Sequence, residues 1–177
     1  MTDPAAATVH NSTVLTTRAG LALDIRSARA SDIIMLVDFF DRVSEDDRRF
    51  RFLSGVRHIG PVQLQPIIHT DHFRTESWLA FDHANGRLVA SGVLACDGPL
   101  ENAEVAVSIC GSHRGLGIGW AMLDFLAEQA ARRGCRRVFS IESRDNRAAI
   151  ELEQEKGFVS EVCDDDPALV VLSRDLR

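Results

Sequence analysis

"HRGLGIGWAM", residues 113–122, sets three glycines, Gly115, Gly117 and Gly119, at alternate positions directly after Arg114. The apolar residues Ile118, Met122, Phe125 and Leu126 follow at three- and four-residue steps, the spacing of a helix. Upstream, "ENAEVAVSIC" (101–110) alternates Val105, Val107 and Ile109 against Glu104, Ala106 and Ser108, the spacing of a strand. The stretch therefore reads as a strand passing through a glycine turn into a helix that stops at Gly134. The first N–H groups of such a helix are free and its dipole end is positive, so it offers a seat for a phosphate. Glycines let an anion come close to the backbone, and Arg114 adds a charged donor. A plain glycine-rich turn is the competing reading. The spacing is not the G-x-G-x-x-G of a dinucleotide fold, and Trp120 stands where a Walker loop needs Lys-Ser/Thr.

Outward from this stretch, "LALDIRSA" (21–28) reads as a strand, and Ser31 or Asp32 as the cap of a helix carrying Ile33, Ile34, Val37 and Phe40. "SEDDRRFRFL" (44–53) gives a Ser cap, acids in the first turn, then Phe50 and Leu53. Pro61 opens a third short helix that Pro66 is expected to interrupt. Strands are expected over 76–83 and 87–97, joined by Ala84-Asn85-Gly86 as a hairpin turn. "RRVFSIES" (136–143) reads as a strand, 145–156 as a helix, and "GFVSEV" and "ALVVLSR" as closing strands. Residues 1–20 are expected to be a flexible tail or an added edge segment, and 21–177 a single α+β domain.

The 177 residues carry a net charge of −6 and are 45% hydrophobic, which suits a globular chain and argues against a nucleic-acid binder. No stretch reads as a membrane span or a signal peptide. Cys96, Cys110, Cys135 and Cys163 form no CxxC pair, so a reduced cytoplasmic protein without zinc is expected. His69-x-Asp71-His72 is too sparse to assign a metal.

Arg114-x-x-Gly117-x-Gly119, Asn146 and Lys156-Gly157-Phe158 resemble the cofactor loop and the "N…A…lGF" segment of the GNAT superfamily of N-acetyltransferases. The front half, "DIRSARASDIIMLVDFFDRVSEDDRRFRF" with "IIHTDHFRTESWLAF", is similar to bacterial Pat-type protein lysine acetyltransferases. The resemblance implies a GNAT fold, a mixed, mostly antiparallel sheet of about seven strands flanked by helices. It implies acetyl-CoA as co-substrate, with no metal. Its pyrophosphate would meet Arg114, Gly115, Leu116, Gly117, Ile118, Gly119 and Trp120, and its pantetheine arm the backbone of Val107, Ser108 and Ile109. Asn146 would bond the pantetheine or cap its helix.

The Pat-type resemblance implies Glu104 as the general base, partly buried, with Glu142 on the next strand as its substitute; strand position by itself reads Glu104 as a solvated carboxylate near a turn. Many superfamily members place an acidic tyrosine shortly before the Gly-Phe pair. This chain has no tyrosine, and Glu153 stands at about that place. Arg132, Arg133, Arg136 and Arg137 either complement a helix dipole or meet the 3′-phosphate; Asp164–Asp166 form a solvated loop or draw a cationic substrate. The implied acceptor is a protein lysine, with a small-molecule amine and a non-catalytic acyl-CoA sensor as alternatives. A homodimer is left open.

Overall fold

The computed structural model describes residues 13–52 and 58–176. In chain order the elements are β1 (Thr13–Thr16), β2 (Ala22–Ser27), α1 (Ile33–Arg42), α2 (Glu45–Phe52), α3 (Pro61–Ile68), β3 (Thr75–Asp82), β4 (Leu88–Cys96), β5 (Asn102–Ile109), α4 (Ile118–Arg132), β6 (Arg137–Ser143), α5 (Arg147–Glu155), β7 (Val159–Val162) and β8 (Leu169–Asp175). One eight-stranded sheet runs β1-β2-β3-β4-β5-β6-β8-β7. Every neighbouring pair is antiparallel except β5 and β6, which are parallel. The fold is the α+β architecture expected from the sequence, with one strand more.

That extra strand lies within 1–20, where an added edge segment is one of the two expected readings. Thr13–Thr16 pairs with Ala22–Ile25 at the sheet edge. Leu15 is its one partly buried residue, so the segment carries no alternating signal to read. Residues 1–12, the rest of the expected tail, and Leu53 lie outside the described residues.

The sheet buries both faces because its strands alternate. On β3, Trp78 and Ala80 join α4 residues Met122, Phe125 and Leu126 in one core, while Leu79 turns to the other face with Leu36, Phe39, Phe40, Leu64 and Ile67 of α1 and α3. Burying each such side chain is worth about 1.5–3 kcal/mol. Pro66 stays inside α3 rather than ending it. A proline there deprives only the carbonyl of Val62 of its partner, and Val62 is 79% exposed, where water can serve.

The caps divide. Ser44 Oγ accepts the N–H of Asp47 at 3.2 Å and starts α2 as expected. Neither Ser31 nor Asp32 caps α1 with its side chain. Asp32 instead takes a two-pronged bond from Arg26 (2.7 and 2.9 Å) and the Arg29 N–H at 2.8 Å, which ties β2 to the start of α1. Burial alone would push the Asp32 carboxyl up, but the Arg26 bonds, the Arg29 N–H and both positive charges hold it below its ordinary 3.8. Asp32→Ala is expected to lower stability by roughly 2–3 kcal/mol, read from urea midpoints. Because the folded carboxyl is depressed, that advantage is whole above pH 3.8 and fades as pH falls below it, so the two midpoints should converge in acid.

All four cysteines are free thiols, with Cys96 and Cys135 Sγ atoms 3.5 Å apart. Among the described residues no helix is long and apolar enough to cross a membrane.

Candidate active site

The sheet opens at its middle. β5 and β6 pair only at Asn102–Arg137, Ala103–Val138 and Glu104–Phe139, although β5 continues to Ile109 and β6 to Ser143. Beyond Glu104 the β6-facing edge of β5 is therefore unpaired, while its other edge stays bonded to β4 through Ile109. A cavity of about 650 Å³ occupies this divergence. Its walls are β5 from Glu104 to Ile109, the loop and first turn of α4, Ile141 and Glu142 of β6, one face of α5, and Asp47 to Phe52 of α2.

The loop is built as the glycine pattern suggested, but its glycines serve separate ends. Gly115 and Gly117 both have φ near +76°, the left-handed region where other residues are strained. A Cβ at Gly115 would meet nothing, so this glycine leaves space for an approaching anion. A Cβ at Gly117 would press on the backbone N of Arg18 at 3.3 Å, and one at Gly119 on Leu152 at 3.0 Å and Ile109 at 3.4 Å. Gly117, expected to keep room for phosphate, keeps room for the β1–β2 turn. Gly119 lets α4 settle against β5 and α5.

Arg114, Gly115, Gly117, Ile118, Gly119 and Trp120 all line the cavity; Leu116 does not and is 36% exposed. Arg114 pairs with Asp47 of α2 at 3.5 Å. At half exposure such a pair is worth about 0–1 kcal/mol, weak enough to yield to a phosphate. Trp120 carries two cations on its ring: Arg18 at 3.0 Å and Lys156 at 3.6 Å from the centroid, with Lys156 also paired to Asp124. Arg18 sat in the expected tail, and only the β1–β2 fold brings it here.

Four charged groups face one another across the cavity. Glu104, the last β5 residue paired with β6, is exposed, against the expected partial burial. Glu142 accepts a bond from Asn146 Nδ2 at 2.8 Å. Burial pushes its carboxyl up, partly offset by Asn146 and by the Arg51 charge. Asn146 makes no side-chain cap to α5, so its capping role gives way to holding Glu142. Arg51 of α2 is pulled down by burial and held up by Glu104 and Glu142. Glu153 is 5% exposed and bonded to Ser140 Oγ; burial raises it to about 7. The α2 contribution was missed from sequence because Asp47 reads only as a first-turn acid and Arg51 carries no local signal.

Other candidates lie elsewhere. Arg132 pairs with Glu128, Arg133 with the Phe73 carbonyl, and Arg137 with Glu161 and Ser173; none of them, nor Arg136, lines the cavity. Asp71 closes a turn by accepting the N–H groups of Phe73 and Thr75, and His72 meets Glu76 at 3.0 Å. Asp164, Asp165 and Asp166 are exposed and outside the cavity wall.

Residues 40–158 match the acetyltransferase (GNAT) family. "Acetyltransferase PA5475" of Pseudomonas aeruginosa is 30% identical over 149 residues, 83% of this chain and 80% of that protein. The GNAT domain of S. lividans PAT superposes with a TM-score of 0.85 at 22% identity, covering 93% of this chain and 97% of that one. Spermidine N-acetyltransferase from Vibrio cholerae, solved with CoA and spermine, superposes at 0.70 with 14% identity, covering 86% and 95%.

Proposed function

The chain belongs to the GNAT acetyltransferase family and acetylates amines with acetyl-CoA; from that premise we propose that its acceptor is a protein lysine and that Glu104 is the general base. The observation that carries the reading is the end of β5–β6 pairing at Glu104, with the cavity opening directly beyond it. A pantetheine arm laid along Val107, Ser108 and Ile109 would satisfy the unpaired strand edge as a third strand would. The pyrophosphate then falls at the α4 N-terminus, with Gly115 leaving the approach free and Arg114 released from Asp47.

The thioester carbon lies next to Glu104 in this arrangement. Its carboxylate takes a proton from the acceptor ammonium, directly or through one water, and the freed nitrogen attacks the carbonyl carbon. A backbone N–H of the unpaired β5 edge faces the oxygen that becomes negative. Glu142, held by Asn146, adds negative charge at the acceptor end and favours a cationic substrate. The lysine assignment is supported by the Pat-type pattern of the front half together with this pair of carboxylates on the cavity wall.

Free coenzyme A release from acetyl-CoA, detected by mass, tests the acceptor class. A protein fraction and a small-metabolite fraction of host lysate are offered separately. Release with the protein fraction alone is the expected result. Release with metabolites alone would overturn the lysine reading in favour of small amines.

A further inference from the structure

We propose that Glu153 is the acid that hands a proton to the departing sulfur of coenzyme A; this rests on the reading above, in which the thioester enters the gap between β5 and β6. Phe139 is the last β6 residue paired with β5, and Ser140 follows it at the vertex of the gap. Ser140 Oγ donates to Glu153 Oε2, which pins the carboxyl at that vertex from the α5 side. Glu153 is 5% and Ser140 1% exposed. Among the described residues Ser140 is the one hydrogen-bond partner of the Glu153 side chain. Glu153 lines the cavity.

The base step has no use for this group, which is buried where Glu104 is exposed. Burial raises its pKa to about 7, the negative charge of Glu142 on β6 acts in the same direction, and the Ser140 bond opposes both. Glu104 of β5, Asp47 and Arg51 of α2, and His113 and Arg114 of the loop face the same cavity. A carboxyl that keeps its proton near neutrality is suited to donating it.

The chemistry balances as follows. The acceptor nitrogen loses one proton through Glu104 to solvent before attack and a second after it. The tetrahedral intermediate collapses, the C–S bond breaks, and its electron pair goes to sulfur. Glu153 gives sulfur its proton and becomes a carboxylate, which solvent reprotonates through the cavity. One amide, one thiol and one net proton are released.

The test follows coenzyme A release with polylysine and, in parallel, with hydroxylamine, an amine that needs no deprotonation at neutral pH. Wild-type turnover should fall as pH rises through about 7 with both nucleophiles. Glu153→Gln should lose about tenfold or more of the neutral-pH rate with both and lose that falling limb, with acetyl-CoA affinity unchanged. Ser140→Ala removes the one bond that holds the Glu153 pKa down, so its limb should move to higher pH. A purely structural role would not produce that move. Glu104→Gln should impair polylysine far more than hydroxylamine. If Glu104→Gln spares both, the base reading fails while Glu153 is still judged by its own limb. Wild-type rates and an unmoved limb in Glu153→Gln would overturn the proposal. If that variant does not fold, an unmoved limb in Ser140→Ala overturns it.

Discussion

Replacing Glu104 by glutamine is expected to reduce turnover with a lysine acceptor by about 100-fold or more while acetyl-CoA binds as before. The two effects separate because of where the residue stands. Glu104 is the last β5 residue paired with β6, and the proposed cofactor contacts, Val107 to Gly119, all lie C-terminal to it. Its side chain is exposed, so an isosteric amide removes the proton acceptor without opening a hole in the core. Raising the pH should narrow the gap between variant and wild type, since both share any other pH limb while a lysine that deprotonates in bulk water no longer needs the carboxylate. Initial rates beside calorimetric binding of acetyl-CoA decide the matter. Equal rates for variant and wild type would remove Glu104 from the chemistry. Parallel losses of rate and affinity would make it a binding residue.

Gly117→Val is the second large effect, and it acts on binding. Gly117 sits at the N-cap of α4 with φ +76°, and a side chain there meets the backbone of Arg18. A β-branched residue in that conformation costs about 1–3 kcal/mol, and the loop can escape the strain only by leaving the shape that aims its N–H groups. If that strain is relieved in the empty loop and restored on binding, acetyl-CoA affinity falls by roughly 5- to 150-fold. Calorimetric titration reads the change directly. Unchanged affinity would mean that the phosphates do not use this loop.

Much of this site was legible in sequence because its central elements are contiguous. Period-two alternation over 102–109, glycines that tolerate positive φ, and period-three-to-four spacing from Ile118 each leave a local mark. What escaped has a long-range cause. Arg18 reaches Trp120 only because β1 folds back on β2, and β1 itself, nearly all exposed, carries no apolar rhythm. Arg51 meets Glu104 and Glu142 only because α2 packs beside the open end of β5. Asn146 looked like a helix cap since that is the local habit of asparagine; its actual partner, Glu142, lies across a turn from it. The glycine pattern does not tell that a side chain at Gly117 or Gly119 would press on Arg18 or Leu152, both far off in sequence.

The open strand edge in the middle of the sheet also bears on the stability of the protein. Without a ligand, the β6-facing side of β5 beyond Glu104 has no strand beside it, an incompleteness that other sheets confine to their rims. Any molecule that fills this edge and binds only the folded chain stabilises the fold by an amount that grows with the logarithm of its concentration over its dissociation constant. Acetyl-CoA should therefore raise the urea midpoint of the purified protein as its concentration rises.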